Sequence, residues 1–505
     1  AVLCRNRFEF FECLFACVRL SAIFVPLNWR MPVPELAPIL DQVKPALCLA
    51  GGTEVEALYD ALIGEPVPLV SFDDRSAGGY AARRDAADPV TGDGTWPADR
   101  VWYLLFTSGT TGTPKSVPLS HRNILSNVSA LVDAKLAGPK DRVLLPLPLH
   151  HAYPCTVGLL GTIACGGCLV LPAGISGPQI AAALKASGAT ILIGVPRLYT
   201  ALLAAIESRI ATQGALARGL FRALMTVSLF FRKRLTLRLG RFLFAPLHHA
   251  IAPGLRALGC GGAHLDPQTG WRLEALGWEV LTGYGLTETA PLLTFSPHGQ
   301  GRPGSAGRPL PGVELRIEPR PGQDFGEILA RGPCVFAGYR NNAEATRHSF
   351  TPDGWFRSGD LGFVDRDGYL HIVGRTKEII VLPGGKNVLP EDVEAVYAKS
   401  PFIREAAVFE RDGALSGLLV PDAEAIRDRA NDRKLRTLPP AIAVWLATIT
   451  HIRHEHTDYD AMLEDGYERD AARHFIVDDI NAVLTRWHAT RLLDPEEETE
   501  PGSAV

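Results

Sequence analysis

The chain has 505 residues, enough for two or more domains around large apolar cores. With 47% hydrophobic and 21% charged residues and a formal net charge of −4, it reads as an ordinary globular protein, and nothing in its charge suits nucleic acid. Its nine cysteines, an odd count at scattered positions, form no disulfide framework and fit a reducing cytoplasm.

In chain order, residues 101–106 are an apolar, aromatic run with the length of a buried strand. They lead into Thr107, Ser108, Gly109, Thr110, Thr111, Gly112, Thr113, Pro114 and Lys115. Gly109 and Gly112 free the backbone and Pro114 removes a donor, so this stretch predicts a loop. Converging N–H and O–H donors with one mobile cation suit a polyphosphate. The spacing nearly fits the P-loop pattern, except that Pro114 stands where the second glycine belongs. A polar surface turn is the plain alternative. Apolar runs at 143–147, 168–171 and 190–194 then alternate with helical segments, predicting parallel sheets covered by helices. Cys165 and Cys168 spell C-x-x-C and read as buried thiols in a strand turn.

Residues 205–256 lie in a stretch with no acid between Glu207 and Asp266. Arg209, Arg218, Arg222, Arg232, Lys233, Arg234, Arg238, Arg241 and Arg256 supply positive charge, with Phe221, Leu224, Met225, Leu229, Phe230 and Phe231 interleaved. Arg222 and Arg232 interrupt the apolar run before it reaches the length of a membrane span. Two readings stand: a basic amphipathic helix lying peripherally on the inner membrane face, or a packed helical pair with solvated arginines. Residues 312–384 carry short strands at 313–317, 326–330 and 369–373 between Gly and Pro turns, which predicts a small antiparallel or barrel-like subdomain. From residue 423 the sequence is charged and histidine-bearing, and 491–505 reads as a disordered tail. His451, His454 and His456 find no convincing second set of metal ligands.

Five motifs in order resemble those of the adenylate-forming (AMP-binding) enzymes, which include acyl-CoA synthetases, luciferases and peptide-synthetase adenylation domains. The loop from Thr107 to Lys115 is similar to that family's phosphate-binding signature. Residues 148–154 resemble its acyl-pocket segment, with His151 at the matching position. Residues 259–263 resemble its adenine-side glycine turn, and Tyr284, Gly285, Leu286, Thr287 and Glu288 match its tyrosine–threonine–glutamate motif. Residues 358–362 and 374–378 complete the set. The resemblance runs from residue 1 to about 422. It begins in the middle of the family's first subdomain, so several dozen leading residues are expected to be missing.

The resemblance implies an α/β fold, with two αβ subdomains and a small β-barrel in a large domain at 1–374. A hinge at 375–377 with Lys377 would join it to an atypical α+β domain at 378–490. It also implies a reaction in which a carboxylate attacks the α-phosphate of ATP, and the acyl group of the adenylate then passes to coenzyme A. In that scheme Lys115, Thr107, Ser108, Gly109, Thr110, Thr111 and Gly112 hold phosphates, Thr287 bonds the α-phosphate and Glu288 holds Mg2+. Gly261, Gly262 and Ala263 flank adenine against Tyr284, and Asp360 with Arg375 takes the ribose. His151, as wall or gate, and Gly283 line the acyl pocket, and Gly385 admits the pantetheine arm. The extended helical region at 205–256 is similar to that of long-chain fatty acid–CoA ligases. A carrier protein is the alternative acceptor. Ser116 and Cys260 depart from the usual glycine and serine. No Pro-x-Thr-x-x-Gly-Lys segment follows Lys386, since Lys399 and Lys434 lack that setting, so a truncated, non-catalytic nucleotide- or acyl-binding protein is the other implied outcome.

Overall fold

Short Val-, Leu- and Ile-rich strands that are apolar on both faces can be satisfied only inside covered parallel sheets. The computed structural model shows two of them. It describes residues 1–61, 67–89, 95–107, 114–376, 380–381, 387–388, 390–397, 400, 402–411 and 414–422, with isolated helical positions at 477, 480, 481 and 484. The chain divides into two units, Ala1–Val373 and Gly374–Val505.

In the first unit a four-stranded parallel sheet runs in the order Pro26–Leu27, Val2–Leu3, Cys48–Ala50, Leu69–Ser71. A seven-stranded sheet runs Arg308–Pro309, Thr294–Phe295, Glu279–Tyr284, Ala257–Cys260, Ile191–Gly194, Arg142–Leu144, Cys168–Val170. Its last five members are parallel and the first two join antiparallel at the Tyr284 end. The predicted barrel-like region is a four-stranded sheet in the order Glu314–Pro319, Gly326–Arg331, Phe356–Val364, Leu370–Arg375, whose first two pairings are antiparallel. The second unit contains a hairpin of Ile403–Arg411 with Ala414–Pro421 and the helix Pro390–Tyr397, where Glu394 accepts from the Val408 N–H at 2.8 Å.

The strand Val101–Thr107 has a partner on the far side of the predicted loop. It returns antiparallel as Lys115–Ser120, with Thr107 paired to Lys115 across the ladder. Lys115 is therefore the first residue of a strand, and the phosphate-type loop is the connection of a hairpin. Ser120 ends that strand and caps the helix His121–Asp133 through a reciprocal box with Asn123. Two buried asparagines on this helix reach outward. Asn123 donates to the Pro333 and Val335 carbonyls, each at 2.9 Å. Asn127, fully buried, accepts from the Leu292 N–H at 2.7 Å and donates to the Leu292 carbonyl at 3.1 Å. One helix turn thus holds two distant chain segments.

The basic stretch forms the helices Pro196–Ala211 and Ala215–Leu235, followed by two short ones. Half of the six apolar residues expected to make a surface point inward instead: Phe221, Leu224 and Met225 pack on a buried cluster that includes Tyr199, Leu273 and Trp278. Arg232, expected as a surface charge, is buried and bonded to Glu274 at 2.6 Å. Among the described residues no helix is long and apolar enough to cross a membrane. Cys168 is exposed and Cys165 half-buried, because their turn lies at the edge of the sheet, not within it.

Replacing Asn127 by Ala strips partners from a buried N–H and a buried C=O at Leu292. The expected loss is about 2–6 kcal/mol, from about 1–3 kcal/mol per orphaned group. Urea unfolding followed by tryptophan fluorescence reads it, and a midpoint like that of the wild type would refute the role given to this side chain.

Candidate functional site

The strand Glu279–Tyr284 leads to the short 3-10 turn Thr287–Thr289, and together these carry most of the candidate residues. Gly285 is required there, because a Cβ would run into the Pro291 carbonyl. Thr289 accepts from the Leu286 N–H at 2.9 Å and donates to the Pro291 carbonyl at 2.7 Å, which tightens the turn. Thr287 is left half-buried and Glu288 buried.

Glu288 meets Lys115 through a residue that the motifs did not single out. The Tyr339 hydroxyl donates to Glu288 Oε1 at 2.8 Å, and Lys115 Nζ lies 5.0 Å from the centre of the Tyr339 ring. This is a cation–π contact in a half-buried setting. Burial first, and then Glu288, raises the Tyr339 hydroxyl above its ordinary value, so it remains a donor. The segment bearing Tyr339 is tied to the hairpin by neighbouring groups. The Arg340 N–H donates to the Ser116 carbonyl at 3.1 Å, and the Ser116 hydroxyl donates back to the Arg340 carbonyl at 3.3 Å. Ser116, a departure from the resembled pattern, is thus a buried strut. The signal that could have drawn attention to Tyr339 was an aromatic residue following glycine in a turn between strands.

A second tyrosine–carboxylate pair stands four residues away in sequence. Tyr284 donates to Asp360 Oδ2 at 2.6 Å. Asp360 is buried in the strand Phe356–Val364, next to Gly359 at φ +74, and its N–H donates to Ser358 Oγ at 3.0 Å.

The glycine turn follows the strand Ala257–Cys260. Gly261 is buried: a Cβ there would lie 3.0 Å from the Tyr153 ring, whose hydroxyl donates to the Gly259 carbonyl at 3.0 Å. The bare side of Gly261 is therefore occupied by Tyr153, a second residue the motifs did not single out, while Gly262, at φ +82, and Ala263 are exposed. Burial pushes the Cys260 thiol up to about 12, so it is an inert wall. Gly283 pairs with Phe295, and a Cβ on it would press on Leu292 and Phe295 at 3.1 Å, so its small size also serves packing.

His150 and His151 precede a π-helical turn at Tyr153–Gly161, with ring centres 4.3 Å apart. His150 is buried and His151 exposed at its edge. Burial, the neighbouring ring and Arg30 push His150 down to about 3, and burial with Arg30 lowers His151 as well. Both are neutral near pH 7, so His151 presents an uncharged ring and not a cation. Arg375 ends the strand Leu370–Arg375, whose last two residues fall past the boundary of the first unit at Val373. Ser108, Gly109, Thr110, Thr111, Gly112, Lys377, Gly385 and the histidines at 451–456 lie outside the described residues.

Comparison with known proteins follows the same outline. The model of the family described as AMP-binding enzyme matches residues 1–340, and that of the AMP-binding enzyme C-terminal domain matches 377–451. A third, described as Uncharacterized conserved protein (DUF2293), matches 421–488 and overlaps the second. A feruloyl-CoA synthase from Amycolatopsis sp is 32% identical over 416 residues, covering 81% of this chain and 74% of its own. The long-chain-fatty-acid–CoA ligase of Thermus thermophilus is 30% identical over 440 residues, covering 81% and 72%. Among solved structures, ATP-bound MatB from Rhodopseudomonas palustris is 27% identical with a TM-score of 0.67, covering 85% of this chain and 82% of that one.

The depressed His150 makes a pH prediction. As pH falls below 6.5 the unfolded chain takes up this proton before the folded one does, so the stability His150 contributes above pH 6.5 is lost progressively towards pH 3. His150→Gln is expected to flatten the acid limb of stability across that window. Urea midpoints at stepped pH measure it, and an unaltered slope would reject the buried neutral state.

Proposed function

This chain belongs to the AMP-binding enzyme family, and on that premise we propose that it is an ATP-dependent acid–CoA ligase acting on long-chain fatty acids. The observation that carries the ligase reading is the pair of tyrosine-held carboxylates, Glu288 and Asp360, beside Lys115. A carboxylate oxygen of the acid bonds to the α-phosphorus of ATP, and the bond to pyrophosphate breaks. The sulfur of coenzyme A then bonds to the acyl carbon, and the acyl–oxygen bond breaks to release AMP. Both steps develop charge on oxygen and need fixed donors and cations more than a protein nucleophile.

Lys115 takes the charge of the departing pyrophosphate together with Thr107, Ser108, Gly109, Thr110, Thr111 and Gly112. The Thr287 hydroxyl donates to the α-phosphate. Tyr284 offers its ring to adenine beside Gly261, Gly262 and Ala263, and Asp360, with Arg375, takes the ribose hydroxyls. Glu288 fits Mg2+, which prefers one or two carboxylates plus substrate phosphates to an all-protein cage. It is a single buried oxygen donor, and among the described residues no cluster of three or more His, Cys, Asp or Glu side chains stands elsewhere to hold a metal. When bound, the ion supplies neutralisation of phosphate charge, while Tyr339 fixes the carboxylate that receives it. His151 and Gly283 border the acyl group. In this reading residues 1–374 are the nucleotide- and acid-binding domain, 375–377 with Lys377 the hinge, and 378–490 the small domain, with Gly385 the residue assigned to admit the pantetheine arm.

The extended helix Ala215–Leu235 and the long-chain relatives support the fatty-acid reading. The feruloyl-CoA synthase favours a second one, an aromatic acid. AMP and pyrophosphate formation with ATP, Mg2+ and coenzyme A, using palmitate, ferulate and indoleacetate in turn, separates the two. Preference for palmitate supports the first reading and preference for ferulate replaces it with the second. A loaded carrier protein outcompeting coenzyme A would change the acceptor, and no product with any acid would leave a non-catalytic binding protein.

Two substitutions test the site itself. Glu288→Ala is expected to raise the Mg2+ concentration required for half-maximal rate. Tyr339→Phe loses a hydrogen bond to a charged group, worth about 1.5–3 kcal/mol, and should lower kcat/KM for ATP by roughly tenfold to a hundredfold. Wild-type kinetics in both variants would sink the assignment.

A further inference from the structure

The helix Ala215–Leu235 has two apolar faces, and only one of them is used inside the fold. The inner face packs Phe221, Leu224 and Met225, and it is pinned by Ser228 donating to the Ala275 carbonyl at 2.6 Å and by the Arg232–Glu274 pair. The outer face carries Leu216, Leu220, Ala223, Val227 and Phe230, spaced by alternating steps of four and three residues, which puts them in one stripe. Leu216 is 92% exposed, Leu220 62%, Val227 45% and Phe230 58%. A continuous apolar stripe left in water along a whole helix marks an interaction surface.

Charge identifies what covers it. No Asp or Glu occurs from residue 208 to 265. Of the bases there, Arg232, Arg238 and Arg256 pair with carboxylates, and Arg241 donates to the Leu255 and Pro253 carbonyls. Arg209, Arg218, Arg222, Lys233 and Arg234 are exposed with no carboxylate in salt-bridge range among the described residues. Beside the stripe, a shallow groove of about 350 Å³ is lined by Phe221, Arg222, Met225, Thr226, Leu229 and Arg272, so apolar floor and guanidinium rim adjoin. A second copy of the chain seated on the stripe would bring like charges together. An anionic bilayer surface satisfies both features, taking the apolar stripe into the acyl boundary and lipid phosphates onto the bases.

We propose that the outer face of the helix Ala215–Leu235 docks on anionic phospholipid membranes, with Leu216, Leu220, Val227 and Phe230 entering the interface and Arg218, Arg222, Lys233 and Arg234 engaging headgroups. The docking is independent of which acid the site activates. The helix lies on the surface, since its charges do not permit a span.

Sedimentation of the full chain with vesicles of phosphatidylcholine, with and without phosphatidylglycerol, tests this at low and high salt. The chain should bind only the phosphatidylglycerol vesicles and release in high salt. Arg218→Gln with Arg222→Gln should weaken binding roughly thirtyfold, from about a factor of five for each base near the surface. Leu220→Asp with Phe230→Asp should abolish binding while the unfolding midpoint and turnover of a short soluble acid stay as in the wild type. Wild-type chain left in the supernatant, equal binding to neutral vesicles, or binding unchanged in both double variants would overturn the proposal. A concentration-dependent dimer lost in Leu220→Asp with Phe230→Asp would also overturn it, giving the stripe to a second copy.

Discussion

Much of the candidate site depends on two amide side chains on one helix. Asn123 and Asn127, spaced four residues apart, project from the same face of His121–Asp133 and bind the main chains at Pro333–Val335 and at Leu292. Lys115 begins the strand that feeds this helix, Glu288 lies just before Leu292, and Tyr339 just after Val335. The contact between Lys115, Tyr339 and Glu288 therefore joins three segments that the asparagines have already gathered. A buried amide with its donors and acceptors matched to backbone groups can do this where an apolar side chain cannot. It specifies one register, because any slip would leave those groups unpaired.

The site treats its two carboxylates alike. Each would repel the phosphates of a nucleotide if left to rotate, and each is held by a tyrosine hydroxyl that keeps one oxygen occupied and the group oriented. The arrangement is pre-organised electrostatics: donors and charges are set before substrate arrives, so little reorganisation is needed as charge develops. On the proposed reading, in which His151 borders the acyl group, the neutral pair His150 and His151 fits the same pattern. A cationic imidazole there would pair with the substrate carboxylate and compete with its attack on phosphorus.

The parts of this fold carried by local pattern were legible in the sequence. The strand at 101–106, the run at 190–194 and the short strands beyond 312 rest on apolar content and turn residues, and they stand within a residue or two of where pattern placed them. The sequence could propose Tyr284, Glu288 and Asp360 because motif order outweighs the ambiguity of any one turn, but it gave no sign that a tyrosine hydroxyl holds each carboxylate. Tyr339 and Tyr153 were not, since a lone aromatic gives no signal of the partner it meets from 51 or 106 residues away. The return of the phosphate-type loop as a strand was equally hidden: Ser116 and Pro118 have little intrinsic strand character, and pairing with 101–107 overrides it.

The basic stretch shows why composition alone misjudges a helix. Counting arginines and apolar residues between Glu207 and Asp266 assigns both to a surface, yet Arg232, Phe221, Leu224 and Met225 serve the interior. A buried ion pair such as Arg232–Glu274 contributes little net stability once desolvation is counted, and its better-attested use is to set register. Here Glu274 also accepts from Arg238 and from the Val280 N–H, so rotation of the helix by one residue would strand a buried carboxylate. That lock fixes which side of the helix faces out. Leu216, Leu220, Val227 and Phe230 remain in solvent because the inner face is already committed, and a stripe held in place by a buried charge network is a surface the fold presents constantly.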